Sequence, residues 1–311
     1  MGSNELKQAK RLFQTCIILS LMIINTVFFT VAWYTRELSL AAQPDVVKGF
    51  TIHNLYADHF EPNPYSSEVR LSSVHSGEGY VAVENKSDDR MVVNLSHETG
   101  DTLVYTAQPG ITYCLLTEGK GNYDVLCGKP DENAELHSVV TTDAEEDHIY
   151  TYPSSYVMFT SDSSLVDLCS TFPEGERMYM DAVLKYLSEH GEYMTEGDRM
   201  EVWYVPDNEE FMQTFRGDCF DFASYVTAAF RMKGIPCRLV VGEADGKGHA
   251  WVEVKPSFTG RVAGYMMEKD KWCFLDPTAL VQEDMTYTEV CMAIPRYMEK
   301  HQKTYFEDYA Y

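Results

Sequence analysis

Positive charge is scarce in this chain. Lys and Arg number 25 against 48 Asp and Glu, so the 311 residues carry a formal charge of −23. The first 34 residues hold three cations and one acid, which leaves 22 cations against 47 acids, or −25, for the remainder. A surface of that sign repels phosphate backbones and anionic headgroups, and excludes nucleic acid as an expected partner. No C-x-x-C spacing occurs among the eight widely separated cysteines, which argues against a zinc site. No Asp-x-Asp-x-Asp-Gly loop marks a calcium site either. No metal and no cofactor are expected. Internal repeats and low-complexity tracts are also missing.

Formal charge is absent altogether from residues 12–34, LFQTCIILSLMIINTVFFTVAWY. A bilayer core needs about 20 helical residues, so this run is long enough to span one. Lys7, Lys10 and Arg11 precede it, and Trp33 and Tyr34 close it as interfacial anchors would. The expectation is a cytoplasmic stretch at 1–11, a transmembrane helix at 12–34 and a linker at 35–49, with the rest outside the cell membrane. A cleaved signal peptide is the alternative, because Ser39, Leu40, Ala41 and Ala42 offer small residues. The apolar run is longer than the roughly 7–15 residues such a peptide uses.

Seven cysteines follow that segment, in a compartment expected to be oxidising. The stretch around Gly119, Lys120, Gly121 and Asn122 reads as a hairpin turn that would set Cys114 opposite Cys127, a candidate bridge. Cys237, Cys273 and Cys291 read as core or disulfide cysteines.

Short strand-like runs separated by Gly, Asn and Asp clusters fill residues 50–160 and suggest a small β-sandwich-like domain. From 161 to 311 the pattern becomes α+β, with helices preceding an antiparallel sheet. One expected helix, 174–187, has Met178, Ala182 and Leu187 along its core side. Trp272 reads as packing. The aromatic and acidic tail 305–311 reads as a frayed end, with a partner-binding strip as the other reading.

The run GDCFDFA, beginning at Gly217, carries the chemistry. Asp218 is a good N-cap, and Ala223, Val226 and Phe230 continue one apolar stripe. Gly234 and Pro236 end the helix, which therefore spans about 219–233 with Cys219 in its first turn. Free N–H groups there favour a thiolate, while Asp218 and Asp221 oppose it, so a cationic partner should lie nearby. A helix of that length travels roughly 22 Å. The strand 237–243 returns by roughly 23 Å. The following turn delivers His249 to the level of Cys219. The strand 249–254 leaves, the run from Trp272 to Leu275 comes back, and Pro277 ends it beside Asp276. A thiolate attacks an acyl carbon, an imidazole carries the proton, and a carboxylate fixes the imidazole's tautomer. Trp251 shares a strand face with His249 and would shield the ion pair.

Gly217-x-Cys219-x-Asp221-Phe222-Ala223, Arg231-x-x-Gly234-Ile235-Pro236-x-Arg238, His249-Ala250-Trp251 and Asp276-Pro277-Thr278 together resemble the transglutaminase-like superfamily of papain-type thiol enzymes, over roughly residues 175–280. The membrane segment and β-rich region are similar to those of surface members in bacteria. The resemblance implies a transglutaminase-like core, with Cys219 as nucleophile, His249 as base and Asp276 as orienting acid. Cys237 departs from the family's usual small Ala, and the connection from His249 to Asp276 is long. The backbone N–H of Cys219 is one expected oxyanion donor; Gln213 and Trp203 are candidates for shaping the rest of the site. The implied activity is acyl transfer from peptide or side-chain amides, giving proteolysis, deamidation or crosslinking. The expected partner is a protein or peptide, cell-wall peptide included. The alternative is a non-catalytic surface module or assembly scaffold on the same fold.

Overall fold

The computed structural model describes residues 44–130, 132–194, 204–301 and 305–311. The expected membrane helix at 12–34 and Trp203 lie outside them. Among the described residues no helix is long and apolar enough to cross a membrane.

A short ribbon of β1 (Asp45–Val47) and β2 (Phe50–Ile52) precedes seven longer strands. They are β3 (Val69–Ser72), β4 (Tyr80–Asn85), β5 (Met91–His97), β6 (Thr102–Ala107), β7 (Gly110–Leu115), β8 (Gly121–Gly128) and β9 (Leu136–Thr142). Two antiparallel sheets result, in the orders β3-β4-β7 and β6-β5-β8-β9. Alternation sets their inner faces: Met91, Val93 and Leu95 on β5 are buried, while Val92, Asn94 and Ser96 are only half-buried.

The Cys114–Cys127 hairpin does not form. β7 pairs with β4 and β8 with β5 and β9, so Cys114 lies opposite Val81 and Cys127 opposite Val93, in different sheets. A strand that changes sheet after a tight turn has the same local pattern as one that folds back on its predecessor. All seven cysteines of the described residues are free thiols, and Cys114, Cys127, Cys169, Cys237 and Cys273 are buried. Burial pushes the Cys237 thiol up to about 12.

Three helices follow: α1 (Glu146–Ile149), α2 (Ser164–Cys169) and α3 (Glu176–His190). The buried stripe of α3 is Tyr179, Met180, Val183, Leu184 and Leu187. Met178, expected in that stripe, is 61% exposed, because the aromatic and aliphatic positions one residue on claim the core side. Next come β10 (Glu192–Tyr193), α4 (Asn208–Thr214), β11 (Arg216–Gly217) and α5 (Cys219–Met232). Every residue of α5 from Asp221 to Met232 is buried, which makes it the central helix of this half. It ends in a Schellman arrangement, with Gly234 at φ +75° and the Ile235 amide donating to Phe230 O.

The second sheet system comprises β12 (Cys237–Ala244), β13 (Lys247–Val254), a small hairpin of β14 (Gly260–Val262) and β15 (Tyr265–Met267), and β16 (Cys273–Leu275). Helix α6 (Tyr287–His301) and strand β17 (Tyr305–Ala310) complete it. The main sheet is antiparallel in the order β16-β13-β12-β17. Asp245 and Gly246, both at positive φ, form the two-residue turn between β12 and β13. That turn sets the register, with Gly242 opposite His249.

The tail expected to fray is instead the edge strand of this sheet. Tyr311 exchanges backbone hydrogen bonds with Leu239, and its ring packs against Tyr105 and Tyr156. The guanidinium of Arg231, fully buried, donates to the backbone carbonyls of Tyr152, Cys237 and Tyr311. Burial lowers its pKa to about 10. One arginine thus fastens the central helix to β12, to the loop after α1 and to the chain beyond β17. One hydrophobic cluster runs from Phe50 and Val93 through Phe222 to Ile294.

Candidate functional site

Cys219 is the first residue of α5, and the two aspartates beside it serve the backbone. The Asp218 carboxylate accepts from the amides of Phe220 (2.8 Å) and Asp221 (3.4 Å). The Asp221 carboxylate turns back to accept from the Asp218 amide at 2.9 Å and from the Tyr204 hydroxyl at 2.7 Å. This is a reciprocal capping box. It explains why two acids flank one thiol: each satisfies amides that the helix start leaves without partners. The preceding Gly217 is required sterically. A Cβ there would lie 2.5 Å from Asp221 Oδ2 and 2.7 Å from Asp221 Cβ.

His249 comes from β13 and Asp276 from the residue after β16. The pairing of Val252 with Leu275 carries Asp276 to the rim on which His249 stands. His249 Nε2 donates to Asp276 Oδ2 at 2.9 Å. The Cys219 side chain is close enough to the ring to raise its pKa, and the bond from Nε2 to Asp276 leaves Nδ1 as the free ring nitrogen. Cys219, His249 and Asp276 are therefore brought to one rim from α5, β13 and the end of β16, with a hydrogen bond joining the last two. Burial lowers the His249 pKa, but the hydrogen bonds and charges of Asp276 and Cys219 overcome that and lift it to about 10. The imidazolium is the favoured form between these partners.

Asp276 is 2% exposed, so its oxygens need donors. Oδ1 accepts from the Thr278 amide at 2.9 Å. Oδ2 accepts from His249 and also from the Tyr305 hydroxyl of β17, at 2.7 Å. Its backbone carbonyl accepts from the Tyr265 hydroxyl at 2.9 Å. The long connection before Asp276 therefore supports it: β15 supplies Tyr265, and the hairpin turn packs so tightly that a Cβ on Gly264 would lie 2.3 Å from Cys291 O of α6. That turn also places the Ala263 amide on Asp181 of α3.

Trp251 is buried and near-parallel to His249, with ring centroids 6.3 Å apart. It walls the imidazole from solvent on that side. Gln213 is exposed on α4, and none of the bonds holding the three residues involves it. Trp272 packs under the Arg238 guanidinium, 4.0 Å from its ring centroid. Sequence reasoning missed Tyr305 and Tyr265. A cleft of about 390 Å³ opens beside His249 and Asp276, walled by Ala279, Ile294, Tyr297 and Tyr305. Among the described residues no cluster of His, Cys, Asp and Glu is arranged to hold a metal ion.

A search of curated proteins returned no match. Among solved structures, a Cytophaga hutchinsonii protein assigned as a cysteine protease is 16% identical, with a TM-score of 0.33 over 68% of this chain and 72% of that one. The periplasmic domain of TgpA from Pseudomonas aeruginosa is 12% identical, with a TM-score of 0.32 over 75% and 76%. Red sea bream transglutaminase is 13% identical, with a TM-score of 0.29 over 66% and 48%. The family model of the transglutaminase-like superfamily matches residues 170–277, a span that contains α5, β12, β13 and β16 together with Cys219, His249 and Asp276. Residues 170–277 of this chain are a transglutaminase-like superfamily domain.

Proposed function

We propose that this protein is a membrane-anchored, extracytoplasmic thiol enzyme that acts on peptide or side-chain amides through a Cys219 thioester. The observation that carries the reading is the meeting of Cys219, His249 and Asp276 at one rim, with His249 donating from Nε2 to Asp276 and the Cys219 side chain among the groups that favour the imidazolium. Anchoring rests on the charge-free run at 12–34 and its cationic N-terminal flank.

With its proton already held on His249 Nδ1, Sγ attacks the amide carbon as a thiolate. The tetrahedral oxyanion forms near the start of α5, where the Cys219 backbone N–H is its expected donor and the helix dipole favours negative charge. The C–N bond breaks as Nδ1–H protonates the leaving amine, which leaves the thioester. His249 then deprotonates the acceptor, the acceptor adds to the thioester carbon, and the thiol is released. Water as acceptor gives proteolysis or deamidation; an amine gives crosslinking. Asp276 holds Nε2–H throughout, so Nδ1 is the nitrogen that faces the sulfur.

The test is to incubate the protein with a peptide library and identify the fragment bound to Cys219 by mass spectrometry. A trapped acyl group on Cys219, absent from Cys219→Ala, is the expected result. Amide turnover that survives Cys219→Ala would refute the mechanism. The same experiment on intact cells and on protease-shaved cells reports on which side of the membrane the domain lies.

A further inference from the structure

The hydroxyl of Tyr305 donates to Asp276 Oδ2, the same oxygen that His249 Nε2 uses. The opposite oxygen is already held by the Thr278 amide. One carboxylate thus takes donors from three segments: the turn after β16, β13 and β17. The Tyr305 ring also stands edge-on to His249 at 5.7 Å, to Trp251 at 5.4 Å and to Phe274 at 4.8 Å. Its hydroxyl lies 3.3 Å from that of Tyr297 on α6. Both tyrosines lie beyond the residues that match the superfamily.

We propose that Tyr305 is a positioning residue of this site: its hydroxyl shares the charge of Asp276 Oδ2 and so limits how strongly the carboxylate holds the His249 imidazolium. The proposal rests on the thiol-enzyme reading. Physically, a hydrogen bond to a charged acceptor lowers that acceptor's pull on its other donor. A general acid held too tightly as a cation releases its proton slowly, so a donor that weakens Asp276 speeds protonation of the leaving amine. Burial and the Asp276 charge raise the Tyr305 pKa, which keeps the phenol a donor. The titratable groups facing His249 are Cys219 from α5, Asp276 after β16 and Tyr305 from β17, with Tyr297 of α6 behind Tyr305.

The experiment is Tyr305→Phe, which keeps the ring and removes only the hydroxyl. The His249 titration is followed by NMR in the full chain carrying Cys219→Ala, with and without Tyr305→Phe. The expected result is an upward shift of about half to one pH unit, because the Thr278 amide keeps Asp276 in place while its charge turns wholly to His249. In the protein with its thiol, Tyr305→Phe lowers kcat by about tenfold with KM unchanged. An unmoved or lowered titration overturns the proposal. So does a Tyr305→Phe protein that fails to fold, since the hydroxyl is then structural. Failure of the thiol-enzyme reading is distinguishable: it appears as absence of amide turnover by the native protein, and the NMR shift is read without turnover.

Discussion

Gly217→Ala should destabilise this protein strongly although it adds a single methyl group. The new Cβ would lie 2.5 Å from Asp221 Oδ2, 2.7 Å from Asp221 Cβ and 2.9 Å from Asp221 Cγ. Rotating the Asp221 side chain clears the oxygen and Cγ but leaves the Cβ, which is fixed to the helix backbone. Relief therefore requires both rotation and a shift of the chain. Rotation removes the bonds from the Asp218 amide and the Tyr204 hydroxyl. Losing the reciprocal cap costs about 1 kcal/mol, and losing a hydrogen bond to a buried carboxylate costs about 1.5–3 kcal/mol. Backbone displacement in a packed region adds about 1 kcal/mol. Their combined effect is about 4 kcal/mol, which for a chain of this size lowers Tm by roughly 6 °C. Thermal unfolding of both proteins, followed by circular dichroism, measures it. A fall of less than about 2 °C would refute the argument that close approach, rather than backbone freedom, requires glycine here. Cys219 should also alkylate at a changed rate in Gly217→Ala, because the first turn of α5 moves with its cap.

Cys219→Ala should lower the His249 pKa from about 10, since the sulfur's hydrogen bond and charge are two of the influences that raise it; NMR titration of the ring reads the change. Because the folded pKa lies above the unfolded value of 6.5, the protonated imidazole's stabilisation is complete below about pH 6.5 and is lost as pH rises through about 10. Denaturant unfolding of the native protein should show that loss between pH 7 and 10, and Cys219→Ala should show it at lower pH. Asp276→Asn should reduce kcat by about 10²–10⁴ with little loss of fold, because the amide can present an N–H to Nε2 and favour the wrong tautomer; steady-state kinetics on a trapped substrate sequence measures it. Arg231→Leu should destabilise by more than about 3 kcal/mol, since three buried carbonyls lose their donor together, and urea unfolding gives the value.

The nearness of Cys219, His249 and Asp276 was legible for a geometric reason. The helix from Cys219 and the strand from Cys237 have matched lengths, and a two-residue turn follows, so His249 has to return to the helix start. The capping role of Asp218 was also legible, because an N-cap is a local device. Its reciprocal partner was not: Asp221 reads as a competing charge until its carboxylate is seen turning back to the Asp218 amide. Tyr305 was hidden for the opposite reason. Its strand pairs with β12 about sixty residues earlier, with a bulge between Val241 and Gly242, and its residues show no clean apolar alternation. The false Cys114–Cys127 hairpin came from the same blindness to partner choice, because β7 and β8 satisfy their local pattern equally well in separate sheets. Met178 failed by one position on α3, where a helical stripe read from three residues admits a neighbouring phase.

The edge strand β17 has a consequence for how the protein is made. The hydroxyl on Asp276 arrives from 29 residues downstream, past the whole of α6. A nascent chain can therefore build its central helix and three strands of the sheet while the aspartate still lacks one of its donors. The rim is completed only after the ribosome has delivered the segment that closes the sheet, and a chain interrupted before that point would carry the thiol without its finished support.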